Sequence, residues 1–357
     1  TQYDRLFNSK HQIGGLLVFN FSEALNTISG DSYLANLPSR NMGLSGRATY
    51  GYDDRFFGEL NFGYNGSEKF AEDYRFGFFP SAGLGWILSN ENFFSKRLPF
   101  ISLFKLKYTY GLVGNDNIAS RDDRFFYLSD VNLNEGGRGY SWGYDYGNNS
   151  NGYNINRYSN PNVTWEVAEK TNYGIELELF GELMIQLDYF TENRNKIYES
   201  RPVFPDTAGL TTVVSSNTGK VKSNGFDIAL DYNKSFSNDF FITGRGTLTY
   251  ATNEVVVRNE PQYEYEYLSA VGYHTNQQRG YIAERLFIDQ ADIDSSPEQF
   301  NGLSGSQNTY MPGDIKYKDV NKDGRINELD RVPIGNPDVP EIIYGFGASM
   351  NYKNFDF

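Results

Sequence analysis

No cysteine occurs anywhere in the 357 residues, and histidine occurs only twice, at His11 and His274. Disulfide frameworks and thiolate metal sites are thereby excluded, while the redox compartment stays open. Long apolar runs are missing as well. No stretch approaches the length of a membrane-crossing helix, and Thr1–Lys10 is too polar to hold the apolar core of a signal peptide. The expectation is a cytosolic protein or a chain that lacks the start of its precursor. Positive charge is the scarcer sign, with 32 Lys and Arg against 45 Asp and Glu and a net charge of −13. That balance argues against a nucleic-acid partner, because phosphate binding needs clustered cations. Catalytic constellations are absent too. There is no Gly-x-Ser-x-Gly and no glycine-rich phosphate loop opening a helix, and the carboxylates single out no acid–base pair. The sequence argues against an enzyme.

What the chain does have is 28 Tyr, 28 Phe and 36 Gly, set in segments that alternate strictly. In Tyr173–Phe190 the apolar residues Tyr173, Ile175, Leu177 and Leu179 alternate with Gly174, Glu176 and Glu178. After Phe180 and a Gly181-Glu182 turn, Leu183, Ile185, Leu187 and Tyr189 alternate with Met184, Gln186 and Asp188. A period of two predicts two antiparallel strands with one apolar and one polar face; a helix would need apolar residues three and four apart.

The same pattern predicts strands at His11–Ser22, Asn41–Tyr52, Phe56–Asn65, Ser81–Leu88 and Ser102–Gly111, and later at Gly225–Tyr232, Phe240–Tyr250 and Ile342–Tyr352. A further strand begins at Phe355. Between them lie polar connections at Glu23–Ser39, Gly66–Arg75, Ser89–Pro99, Leu112 to Glu169, Glu192–Lys220 and Ala251 to Glu341. Tight connections fall at Asp53-Asp54, Gly181-Glu182, Asn233–Asp239 and Lys353-Asn354. Short and long connections thus take turns, as in an up-and-down meander with tight turns at one end and large loops at the other. Tyr52, Tyr232 and Tyr352 sit near short turns, and Tyr64, Tyr110, Tyr189 and Tyr250 near long loops, which suits two aromatic girdles.

The predicted fold is all-β: a transmembrane antiparallel up-and-down β-barrel of which about ten strands are visible. An open sheet edge in hydrocarbon leaves backbone groups unpaired, so the expectation is a partial barrel, one barrel domain over residues 1–357 without its plug and terminal strands. A large soluble β-sandwich would have an equally apolar inner face. Against it, charges recur on one face of nearly every strand while the other face stays uncharged.

Two local motifs stand out. Asp319, Asn321, Asp323, Arg325 (through its carbonyl), Asn327 and Asp330 place oxygen ligands at positions 1, 3, 5, 7, 9 and 12 of a calcium loop, with Gly324 at its sharp turn. Asp in place of Glu at the last position and the non-helical flanks depart from that pattern; the alternative is an ion-free turn of Asx side chains bonded to backbone. Tyr140, Trp142, Tyr144 and Tyr146 alternate among Gly and Asn in the longest early loop, where they could stack on substrate at a pore mouth or pack the loop against itself. The run Tyr263–Tyr267 reads as a strand-like piece of its loop.

Several stretches, in this order, resemble the SusC/RagA class of TonB-dependent outer-membrane transporters of Bacteroidetes. They are 40–70 (RNMGLSGRATYGYDDRFFGELNFGYNGSEKF), 76–94, 106–118 (LKYTYGLVGNDNI), 160–180 (NPNVTWEVAEKTNYGIELELF), 217–230 (NTGKVKSNGFDIAL), 312–337 (PGDIKYKDVNKDGRINELDRVPIGNP) and 344–357. The resemblance implies a barrel of roughly 22 strands, an N-terminal plug, a segment that contacts TonB, and a SusD-like surface lipoprotein over the barrel mouth. It also implies import of oligosaccharides or peptides across the bacterial outer membrane. The plug and the TonB-contacting segment have no counterpart in these residues, so TonB would act through parts outside them. The lumen would be lined by Glu176, Glu178, Asp227, Asp231, Arg245, Lys105 and Lys107. A passive binding or adhesion barrel without transport, and a soluble secreted calcium-binding β-protein, remain as alternative readings.

Overall fold

A computed structural model of the chain describes residues 1–25, 37–118, 124–201, 205–237, 239–299 and 310–357. Its strands in chain order are β1 (Gln2–Phe7), β2 (His11–Ala24), β3 (Ser39–Tyr52), β4 (Phe56–Ser67), β5 (Phe76–Ile87), β6 (Ile101–Asn115), β7 (Asp130–Trp142), β8 (Asn148–Arg157) and β9 (Glu166–Leu179). They continue with β10 (Leu183–Arg201), β11 (Val214–Ser237), β12 (Phe240–Val257), β13 (Arg279–Gly280), β14 (Ala283–Leu286), β15 (Ile315–Tyr317), β16 (Val332–Pro333), β17 (Ile342–Tyr352) and β18 (Phe355–Asp356). Two short helices, α1 (Asn92–Ser95) and α2 (Gln290–Asp294), lie in connections.

Twelve of these strands form one sheet in the order β1-β2-β3-β4-β5-β6-β9-β10-β11-β12-β17-β18, every neighbour antiparallel. The sheet is therefore a pure meander. The remaining strands are small hairpins and ladders carried within the β6–β9 and β12–β17 connections.

The tight turns are built from residues that tolerate left-handed backbone. Asn8 and Ser9, Asp53 and Asp54, and Phe180 and Gly181 all have φ between 49° and 66°. Asn and Asp adopt this region more readily than other side chains do, and glycine meets no Cβ penalty there. At the middle hairpin Leu179 pairs with Leu183, so the turn is 180–182, starting at Phe180 rather than at Gly181.

The ladder fixes which residues share a face. One row runs Phe56, Trp86, Leu106, Ile175, Leu187, Ile228, Leu248 and Tyr344, a continuous apolar line across eight strands. The adjacent row, one residue along, runs Phe57, Gly85, Lys107, Gly174, Asp188, Asp227, Thr249 and Ile343. Neighbouring positions point to opposite faces, so one face is apolar and the other is polar and glycine-rich. On the apolar face large side chains stand open: Leu60 is 65% exposed, Leu84 64% and Phe346 87%. A soluble sheet buries such a face; here it stays uncovered across the sheet, as in outer-membrane barrels whose outer band meets lipid. Tyr108, Tyr173 and Tyr189 follow one another on that face with ring centroids 5.1 and 6.4 Å apart, and Phe226 and Tyr250 continue the line at 5.6 Å.

Two expectations need correction and one is extended. The twelve strands are the ten expected in full, the one begun at Phe355, and Gln2–Phe7, which pairs with β2 although its composition is polar. Parts of the long loops are strand: β10 continues to Arg201, β11 begins at Val214 and β12 runs to Val257. Beyond the lipid both faces meet water, so the apolar alternation ends while the hydrogen-bonded ladder goes on. Finally, Tyr263–Tyr267 is not strand-like; Tyr265 stacks on Tyr267 at 5.5 Å just where the 3-10 turn Glu266–Leu268 starts. Of the polar connection at Glu23–Ser39, residues 26–36 lie outside the described residues.

Candidate functional site

The polar face carries its charges in neighbouring strands. Lys107 Nζ lies 2.8 Å from Glu176 and 3.8 Å from Asp188, while Lys105 Nζ lies 3.5 Å from the same Glu176. Arg47 reaches Glu59 at 2.9 Å, and Asn61 donates to the same carboxylate at 2.8 Å. Arg245 pairs with Asp231 at 3.3 Å, and Thr249 donates to Asp227 at 2.6 Å. All seven side chains expected to line a lumen (Glu176, Glu178, Asp227, Asp231, Arg245, Lys105 and Lys107) belong to this one face. Partly solvated pairs of this kind are worth only about 0–1 kcal/mol each. Their effect is to present fixed donors and acceptors along a wall.

A groove of about 620 Å³ opens on the wall between β3 and β9, with Glu59, Ser81, Lys105, Lys107, Thr109 and Lys170 among its lining. Gly51, Gly83, Gly85 and Gly111 line it as well, and at Gly111 the absent Cβ is what lets β6 approach Ser81 of β5.

At the long-loop end the loops share a buried core that sequence reading missed. Phe70, Phe126, Val163 and Trp165 are buried together, with Phe79, Ile118 and Tyr198 against them. Arg124 ties three connections to this core. It donates to the carbonyls of Leu37 and Pro38 at 2.8 and 2.7 Å and pairs with Glu68. Glu166, also buried, accepts from Asn115 at 3.0 Å and from the backbone of Tyr198 at 3.1 Å. Nothing in the spacing of Arg124 or Glu166 marks them beforehand; only the fold brings their partners together.

The four aromatics Tyr140, Trp142, Tyr144 and Tyr146 occupy the tip of the β7–β8 hairpin, all exposed. Tyr140 and Trp142 share a hairpin face, where the indole donates to Ser150 at 3.2 Å. The loop therefore does not bury them against itself.

In 319–330 the oxygens expected to serve as ligands accept backbone hydrogen bonds. Asp319 takes the amides of Lys322 and Gly324 at 2.7 and 2.8 Å, Asn321 that of Asp323 at 3.1 Å, and Asp323 that of Arg325 at 2.8 Å. Asp330, with no exposed surface, accepts from Val320 at 2.8 Å, Asn321 at 3.4 Å and Asn327 at 2.8 Å. Asn327 caps the turn Glu328–Asp330 in a reciprocal capping box with Asp330. Gly324, at φ 86°, makes the bend. The side-chain amide of Asn321, then the Arg325 amide, hold the Asp323 carboxyl below the usual range. Among the described residues no three His, Cys, Asp or Glu side chains gather as a metal-holding group. Asp330 Oδ1 accepts the amides of both Val320 and Asn321, and Asp323 Oδ2 accepts the side-chain amides of Asn321 and Asn327 at 3.0 and 3.3 Å, so both oxygens are already engaged.

No family model matches the chain. It is 26% identical over 323 residues to the TonB-dependent receptor P26 of Formosa agariphila, covering 87% of this chain and 30% of that protein. To the TonB-dependent receptor SusC of Bacteroides thetaiotaomicron it is 25% identical, again over 87% of this chain and 30% of the relative. The RagAB peptide importer in its open-open state superposes with a TM-score of 0.71 at 18% identity, over 99% of this chain and 38% of that one. These relatives are named as receptors and importers, and the chain spans about a third of their length. Meander, lipid-type outer face, charged inner wall and these likenesses agree: the chain resembles a stretch of the outer-membrane β-barrel of SusC-type TonB-dependent receptors, and it shares its fold with the RagAB importer.

Proposed function

We propose that this stretch forms part of the wall of an outer-membrane importer that moves oligosaccharides or peptides inward, driven through TonB and working with a SusD-like surface lipoprotein. The observation that carries the reading is the paired rows of the sheet: an uncovered apolar row on one face and a glycine-rich, charge-bearing row on the other. A wall of alternating cation and carboxylate offers hydrogen bonds to polar cargo without a strong net field. The hairpin aromatics Tyr140, Trp142, Tyr144 and Tyr146 fit a role in contacting cargo at the mouth, since Tyr and Trp give large contact area with a polar handle. Deleting the gene that encodes the full-length protein should abolish growth on one oligosaccharide or peptide source while leaving monomer use intact, and loss of TonB should reproduce the defect. Unchanged growth on every such source, with loss of surface attachment instead, would favour an adhesion barrel.

Calcium in 319–330 is proposed alongside, supported by the order of oxygen donors from Asp319 to Asp330. Titration calorimetry on the full-length protein should show a calcium heat that Asp323→Ala removes; an identical titration in both would reject the ion.

A further inference from the structure

Five of the connections at the tight-turn end take two or three residues, at 8–10, 53–55, 180–182, 238–239 and 353–354, whereas the β5–β6 connection takes thirteen, 88–100. Rather than turning tightly, this connection folds onto the outward face. The Phe94 ring lies 5.6 Å from that of Phe104, an outward residue of β6, and Phe100 stacks on Phe180 at 5.7 Å. Trp86, in the outward row, donates to Glu91 at 3.2 Å, and Arg55 of the neighbouring turn pairs with the same carboxylate at 3.1 Å. Glu91 is thus already engaged, and Asp53 is held by the same Arg55 at 2.8 Å. On α1 and just after it, Phe93 stands 57% exposed beside Lys96 and Arg97, both exposed. Neither cation has a carboxylate within ion-pair distance among the described residues.

We propose that residues 92–100 form a phospholipid-binding anchor at the periplasmic rim of the barrel. Phe93 and Phe100 enter the acyl boundary, and Lys96 and Arg97 bind the phosphate of an anionic headgroup. The chemistry is that of an interfacial amphipathic segment: aromatics at headgroup depth with unpaired cations beside them. Position supports it twice. The short-turn end of such barrels faces the periplasm, and the segment is continuous with the lipid-facing row through Phe104. An acidic protein partner would satisfy the cations equally, but not the outward-facing aromatics set at the edge of the apolar band. The inference rests on the barrel reading of the outer face and is independent of any cargo.

The test uses the full-length receptor in nanodiscs of phosphatidylcholine, alone or mixed with phosphatidylglycerol, with native mass spectrometry of the lipid kept after mild detergent extraction. The wild type should retain phosphatidylglycerol selectively. Lys96→Gln with Arg97→Gln should reduce that retention on the order of tenfold, as two cations near an anionic surface allow, with heat-modifiable folding unchanged in phosphatidylcholine. Phe93→Ala should lower retention of both lipids. Equal phosphatidylglycerol retention by wild type and double variant would overturn the proposal. So would release of the lipid by excess inorganic phosphate, which would make the site one for a free anion. Loss of cargo uptake with lipid retention intact in the double variant would place the cations on a protein partner instead. Failure of the importer reading alone would leave lipid retention as predicted.

Discussion

Leu84→Arg should destabilise the barrel by about 2–4 kcal/mol if the residue lies near the bilayer midplane, and by less toward an interface. Leu84 is 64% exposed on the apolar face, opposite Tyr108 of β6, so the guanidinium would replace an uncovered side chain without a steric clash. In water such a substitution at an exposed site would shift stability by roughly 0.5 kcal/mol at most. The cost therefore comes from hydrocarbon as the surrounding medium. Ser81→Arg, three residues away on the groove face, gives the control; there the new charge meets the aqueous wall beside Thr109 and Lys170. Urea unfolding of the full-length protein in lipid vesicles separates the two, with a large shift for Leu84→Arg and a small one for Ser81→Arg.

The second large effect is expected at Asp330. Its carboxylate accepts three backbone amides and has no exposed surface. Asp330→Ala takes the acceptor from the part-buried amides of Val320, Asn321 and Asn327, at up to about 1–3 kcal/mol for each that water does not reach, and removes half of the capping box. A loop stabilised by so few contacts should open rather than bear that cost. Hydrogen–deuterium exchange should rise across 315–335 while the β12–β17 ladder stays protected. Exchange confined to one or two amides would mean that water replaces the carboxylate.

How much of this could be read from residues alone follows from where lipid lies. Within the bilayer each strand must alternate, so the middle hairpin at Tyr173–Phe190 and the strand at Gly225–Tyr232 were legible, although each strand runs several residues further. Outside it the constraint lapses. Glu192–Arg201 and Val214–Lys220 are strands with polar residues on both faces, and the β7–β8 hairpin, rich in Asn and Gly, has no apolar face to announce it. The charged residues of the polar face were legible because parity alone assigns their face. Their pairing was not: Lys107 meets Glu176 and Asp188 only through the register of β6, β9 and β10. Arg124 was invisible for a related reason, since its partners lie 56 to 87 residues away in sequence.

The most direct test of the account is thiol accessibility along β9 and β10, helped by the absence of native cysteine in these 357 residues. Single cysteines at Ile175, Glu176, Leu177, Gln186, Leu187 and Asp188 of the full-length protein, in lipid vesicles, would be treated with a charged thiol reagent. The account predicts labelling at Glu176, Gln186 and Asp188 and protection at Ile175, Leu177 and Leu187. Labelling of both sets alike, or of the apolar set alone, would contradict it.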